Sequence, residues 1–142
     1  LTPGKVKKFN VIQDEIPTSV LMTFEPGSAV VLVFDTDKDV TEHLKNNIAL
    51  LKNRCSRVEV LTVVQVLAFE DEIERSTDVK KAKDFTKSES VDDFKEVVNR
   101  MKELEFRNAL KRHKFDISKL WTMKPPKAFN FVKQDSEKVK NV

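Results

Sequence analysis

The stretch Gly27-Ser28-Ala29-Val30-Val31-Leu32-Val33-Phe34-Asp35-Thr36-Asp37-Lys38-Asp39 decides how the rest of the chain is read. From Ala29 to Phe34 the side chains are apolar without interruption, and Val30, Val31 and Val33 are β-branched. A run that is apolar on both faces predicts a strand covered on both sides, inside a parallel sheet. The run ends in Asp35, Asp37 and Asp39. Asp35 and Asp37 stand two apart, so they leave an extended backbone on the same side. Ligands of parallel α/β sheets gather at the carboxyl ends of the strands. Two carboxylates so placed suit a shared hard cation, Mg²⁺ or Mn²⁺. The competing reading of the same residues is that Asp35 and Asp37 only end the strand while Asp39 caps the next helix.

Upstream, Lys8-Phe9-Asn10-Val11-Ile12 is predicted to be a short strand running into Asp14 and Glu15. Pro17 then suits the first turn of a short helix with Thr18 to Phe24, stopped by Pro26-Gly27. Downstream, Asp39 with Glu42 three residues on has the form of a capping box. Val40, Leu44, Ile48, Leu51 and Cys55 fall on one face of the helix it would open. Residues 57–68 return to strand character and lead directly into Phe69-Glu70-Asp71-Glu72-Ile73-Glu74. The β-α-β-α-β order predicts an α/β fold, a parallel sheet flanked by helices, with three acidic clusters along one edge. Glu70 and Glu72 also read as ordinary first-turn acids of a helix.

Beyond residue 76 the pattern turns helical. Ser90 with Asp93 opens an amphipathic helix whose stripe is Val91, Phe94, Val97, Val98, Met101 and Leu104. A further helix through Phe106 to His113 carries a basic cluster, Arg107, Lys111, Arg112 and Lys114. Phe115 to Trp121 adds a turn, Lys124-Pro125-Pro126-Lys127 breaks regular structure, and the polar tail after Phe131 is expected to fray. The expected organisation is an α/β core over residues 1–76 and a mainly helical, basic extension over 77–142 packed on it.

Composition narrows the chemistry. No apolar run approaches the ~18 residues that span a bilayer, and no signal-peptide pattern opens the chain. A lone Cys55 makes no internal disulfide, which points to a reducing, cytoplasmic setting and to a buried structural thiol. Residues 1–79 carry 9 Lys and Arg against 13 Asp and Glu, and residues 80–142 carry 17 against 10. A basic flank beside an acidic centre suits a polyanion, so nucleic acid is the expected partner; a solvated basic surface is the plainer alternative. Gly4 and Gly27 are the only glycines, which excludes a Gly-rich phosphate loop. There is no zinc-ligand spacing and no nucleophile elbow. Carboxylate–metal chemistry remains, with Asp35, Asp37, Glu70 and Glu72 as its candidates.

Val30-Val31-Leu32-Val33-Phe34-Asp35-Thr36-Asp37 together with Gln65-Val66-Leu67-Ala68-Phe69-Glu70-Asp71-Glu72 resembles the Toprim fold. The closer likeness is to the OLD-type and RloB-like Toprim proteins of bacterial mobile-element and phage-defence systems. It covers residues 6–76. The resemblance implies Mg²⁺-dependent breaking or joining of phosphodiester bonds in nucleic acid, with Asp35 and Asp37 as metal ligands and Glu70 or Glu72 as an additional acid. The family's glutamate on an earlier strand has no counterpart here; its place falls to an upstream segment or to Asp14 or Glu15. The alternative on the same fold is a non-catalytic domain that binds nucleic acid, a partner protein or a second copy of the chain.

Overall fold

The computed structural model describes residues 4–54 and 57–141. It is mixed α/β, with one two-stranded parallel sheet and several helices. The chain forms two compact units, Leu1–Val64 with Lys124–Val142, and Gln65–Met123. Where one boundary was expected at 76/77, the units divide at 64/65 and again at 123/124.

Residues 8–12 are not a strand. The Asn10 side chain accepts from the Ile12 and Gln13 N–H groups at 3.1 and 3.2 Å, and its carbonyl accepts from Asp14 N–H at 3.0 Å. A short polar side chain that hydrogen-bonds the backbone two residues on mimics a turn and competes with the sheet ladder. Helix α1 (Thr18–Leu21) follows Pro17 as expected, and is shorter than Thr18 to Phe24.

Strand β1 (Ala29–Asp35) is launched by a tight turn. Ser28 N–H donates to Glu25 C=O at 3.1 Å, and Gly27 between them has φ +82°. Pro at the second position and a positive-φ glycine at the third are what a type II turn requires. Helix α2 (Glu42–Arg54) starts later than the Asp39–Glu42 capping box would place it. Lys45 N–H donates to Thr41 C=O at 3.0 Å, so the cap position is Thr41. Both residues suit a cap, and the later one is used. Val40 accordingly lies outside the helix and exposed. Leu44, Asn47 and Leu51 form the buried stripe, and Cys55 lies outside the described residues.

Strand β2 (Glu59–Gln65) pairs with β1, the first rungs being Gly27 N–H to Arg57 C=O at 2.7 Å and Glu59 N–H to Ser28 C=O at 3.1 Å. The two strands are covered differently. In β2, Leu61, Thr62, Val63 and Val64 are buried in succession. In β1, Leu32 and Phe34 are buried while Val31 and Val33 are 39% and 46% exposed. The expectation that β1 is covered on both faces is therefore corrected: an all-apolar run does not by itself say whether the second face is filled. Phe34 stacks on Phe129 with ring centroids 6.1 Å apart.

The tail does not fray. Residues 133–135 close the free edge of β2, and α7 (Ser136–Lys140) follows. Thr62 N–H donates to Asp135 Oδ2 at 3.0 Å and Asp135 N–H to Thr62 C=O at 2.8 Å. The Gln134 side-chain amide accepts from Val64 N–H at 3.0 Å and donates to Val64 C=O at 2.8 Å. The Thr62 hydroxyl donates to Lys133 C=O. One side-chain amide thus stands in for a rung of a third strand.

The second unit is helical. It holds α3 (Phe69–Ser76), α4 (Ala82–Phe85), α5 (Val91–Arg100) and α6 (Glu103–Arg112). The Ser90 cap forms as expected: its Oγ accepts from Asp93 N–H at 3.1 Å. The stripe expected to reach Leu104 is cut at Met101, whose extended backbone (ψ 139°) ends α5, and Leu104 is exposed on α6. The core is aromatic. Phe85, fully enclosed with Phe94, Ile73 and Ala109, meets the rings of Phe94, Phe106 and His113 at 6.3, 5.7 and 5.1 Å. Asp116 opens a 3₁₀ turn, Ile117–Lys119, and the Ser118 hydroxyl and N–H that it accepts hold its carboxyl below the ordinary carboxylate value.

Candidate functional site

Asp35 closes β1 and Asp37 follows two residues later. Thr36 between them is buried, Asp35 half-buried and Asp37 exposed. Alternation along β1 carries Asp35 on the side of Val31 and Val33, away from the side on which Leu32 and Phe34 are enclosed, while Asp37 lies past the strand end in a bend. In a parallel pair this is the carboxyl rim of the strands. His43, one residue into α2, is half-buried, with its Nδ1 enclosed and no hydrogen-bond partner among the described residues.

Glu70 and Glu72 belong to the second unit, on the first turn of α3. Glu70 Oε1 lies 2.7 Å from Lys95 Nζ of α5. Glu72 is fully buried (0% exposed) and both of its oxygens are used. Oε1 accepts from Arg75 Nη2 at 2.6 Å and from Val66 N–H at 3.4 Å; Oε2 accepts from Trp121 N–H at 2.9 Å. Arg75 Nη2 also donates to Val66 C=O at 2.8 Å. The group is a buried clamp that ties the chain after β2 to α3 and to the loop at Trp121. A cation drawn to Glu72 would have to compete with Arg75 and the Trp121 N–H for its carboxylate. Asp14 and Glu15 are exposed in the Asn10 turn, where Glu15 accepts from Asn46 Nδ2 at 3.2 Å.

Among the described residues, no three His, Cys, Asp or Glu side chains group as a metal-ligand set. Asp35 and Asp37 still fit Mg²⁺, which is commonly held by one or two carboxylates with water and substrate phosphate completing the shell. Arg107, Lys111, Arg112 and Lys114 are all exposed, Arg107 in the middle of α6, Lys111 and Arg112 in its last turn and Lys114 just past it. Arg107 is paired with Glu103 at 2.6 Å, an exposed i,i+4 pair of small energetic value. No helix among the described residues is long and apolar enough to cross a membrane.

Two residues escaped the sequence reading. Asn47 is fully buried on α2, accepting from Ile16 N–H at 2.7 Å and donating to Val11 and Asp14 C=O at 3.0 and 2.8 Å. It pins the Asn10 turn to the helix. Its one signal is position, three residues after Leu44 and four before Leu51. Gln134, in a polar segment without periodicity, carries no signal at all.

Comparison with known proteins finds no matching family model, no matching curated protein and no matching solved structure. The Toprim likeness rests on the residues quoted for it.

Proposed function

We propose that the chain is a Toprim-like domain whose Asp35 and Asp37 hold a Mg²⁺ or Mn²⁺ ion for phosphodiester chemistry on nucleic acid. The observation that supports this reading is that Asp35 ends β1 and Asp37 follows two residues later, past the carboxyl end of a parallel β1–α2–β2 unit. Such an ion, when bound, neutralises charge on a phosphoryl oxygen and lowers the pKa of a bound water. Asp35 and Asp37 bind and orient it. Arg107, Lys111, Arg112 and Lys114 hold phosphates without reading bases. Glu70 serves as an additional acid only by parting from Lys95.

A melt with and without Mg²⁺ tests this before any substrate is known. At Mg²⁺ near 100 times its dissociation constant, mass action raises stability by about 2.7 kcal/mol, and the melting temperature by roughly 5–10 °C for a chain of this size. Asp35→Asn and Asp37→Asn should each remove most of that rise and most cleavage of DNA or RNA. A parent with no Mg²⁺ response would sink the reading. The second reading, a non-catalytic domain that binds nucleic acid or a protein partner, is favoured by the commitment of Glu70 to Lys95 and of Glu72 to Arg75. It predicts salt-dependent binding of an oligonucleotide and no effect of Mg²⁺ on the melt.

A further inference from the structure

The second unit carries 13 Lys and Arg against 13 Asp and Glu, so it has no formal net charge, but the two signs are not mixed. Helices α5 and α6 open on acids, Asp92 and Asp93 in one and Glu103 and Glu105 in the other. Helix α6 ends on Lys111 and Arg112, with Lys114 just beyond. Both arrangements suit the helix dipole, which favours anions at the amino end and cations at the carboxyl end. The fold then brings further cations to the carboxyl end of α6.

Lys80 and Lys81 belong to the connection between α3 and α4. Asp78 N–H donates to His113 C=O at 2.9 Å, and Asp116 N–H to Ser76 C=O at 2.7 Å, so residues 76–78 run beside residues 113–116. The His113 side chain adds to the pairing. Its Nδ1 lies 3.2 Å from Asp78 Oδ1, its Nε2–H donates to Phe85 C=O at 3.1 Å, and its ring centre is 5.1 Å from that of Phe85. Lys80 and Lys81 come just after Asp78, and Arg112 and Lys114 flank His113. These four and Lys111 are exposed, and among the described residues none of the five has an ion pair. Residues 78–84 and 111–116 together carry six Lys and Arg against three Asp. Two of those acids are engaged, Asp78 by His113 and Asp116 by the Ser118 N–H and hydroxyl. A neutral unit thus presents one strongly positive surface, assembled from two segments distant in sequence.

Such a surface attracts a polyanion. It offers no open ring: Phe85 is 1% exposed and Phe115 half-buried. Proteins that hold single strands combine charge with rings on which bases stack. A duplex keeps its bases inside and presents one phosphate charge per about 1.7 Å of axis. We infer that Lys80 and Lys81, together with Lys111, Arg112 and Lys114, form a docking surface for the backbone of a double-stranded nucleic acid. DNA and RNA duplexes share this chemistry. The inference rests on the nucleic-acid reading of the α6 cations, adds Lys80 and Lys81 to them, and needs no metal at Asp35 and Asp37.

The test uses the full chain in EDTA, so that the metal reading plays no part in the result. A duplex DNA, a duplex RNA of the same sequence and an oligothymidylate of the same length are titrated over a range of salt. The proteins are the parent, Lys80→Gln/Lys81→Gln, Lys111→Gln/Arg112→Gln, and Arg100→Gln/Lys102→Gln. The last pair removes two charges near the other end of α6, about 15 Å from the surface. An unchanged melt shows that each variant is folded. At least one duplex should bind the parent more tightly than the single strand. The first two pairs should each reduce the log–log salt slope on DNA by about 1.8, and weaken binding about tenfold or more at about 0.1 M salt. The Arg100/Lys102 pair should change neither. A folded Lys80→Gln/Lys81→Gln variant that binds the duplex as tightly as the parent overturns the two-segment surface and leaves the α6 reading standing. An equal loss in the Arg100/Lys102 pair also overturns it, because the charge then acts diffusely. A single strand that binds as tightly as either duplex overturns the duplex assignment. Absence of binding by all three probes overturns the surface and the nucleic-acid reading together.

Discussion

Strands β1 and β2 are both seven residues long and valine-rich, and their surroundings differ. β1 hides Leu32 and Phe34 and leaves Val31 and Val33 half in water; β2 hides Leu61 to Val64 without a break. The difference does not come from the strands. Along the edge of β2, residues 133–135 satisfy the outward N–H and C=O groups of Thr62 and Val64. No further strand pairs with β1 among the described residues. Apolar content decides that a segment becomes a strand; what lies along its edge and over its second face decides whether it is interior.

The largest effect should come from removing that closure. Gln134→Ala strips both partners from the Val64 backbone, and Asp135→Ala removes the acceptor of the Thr62 N–H. Each leaves a buried or part-buried backbone group unsatisfied, at about 1–3 kcal/mol. Because both side chains serve adjacent rungs of one edge, the double variant should be non-additive. Chemical denaturation of the two single variants and the double measures this. Single losses below about 0.5 kcal/mol would mean that water replaces the side chains at no cost, and that the β2 edge is not closed.

A matched pair of isosteric changes probes the faces. Val63→Thr places a hydroxyl at a position that is 0% exposed, for which about 1–3 kcal/mol is expected in the absence of a hydrogen-bond partner. Val33→Thr makes the same change where nearly half of the residue is already in water. The contrast in denaturation midpoints, at unchanged m-value, should favour Val33→Thr clearly. Equal losses would erase the distinction drawn between the strands.

Much of this was legible in the residues. The β1 run, the Pro26-Gly27 turn that launches it, the Ser90 cap and the break at Lys124 to Lys127 all come from local chemistry, in which one residue type or spacing has one mechanical consequence. The acids at the end of β1 were legible for the same reason. What could not be read depends on contacts between distant segments. Phe9, Val11 and Ile12 look like strand residues, yet Asn10 turns the chain and Asn47, more than thirty residues away, holds the turn. Gln134 and Asp135 look like tail residues because a side chain that imitates a ladder rung has no periodicity to reveal it. Glu70 and Glu72 share one acidic run, and only their partners separate a carboxylate paired with Lys95 from one enclosed by Arg75 and the Trp121 N–H.

The smallest effect is expected on the open face of β1, and it is the most informative about what that face does. Val31→Thr and Val33→Thr keep the β-branch and the strand preference, and exchange a methyl for a hydroxyl where solvent can hydrogen-bond it. Each should change stability by no more than about 0.5 kcal/mol, the usual range for surface substitutions. The measurement is a melt of parent and double variant over a hundredfold range of protein concentration. For a monomer with a solvated face, both melting temperatures are independent of concentration and differ by a degree or two. A face covered by a second copy behaves otherwise: the parent melt rises with concentration by mass action, and the double variant loses both that slope and more than the expected stability. The second pattern would remove the contrast between the strands, because β1 would then be covered from outside the chain as β2 is from within it.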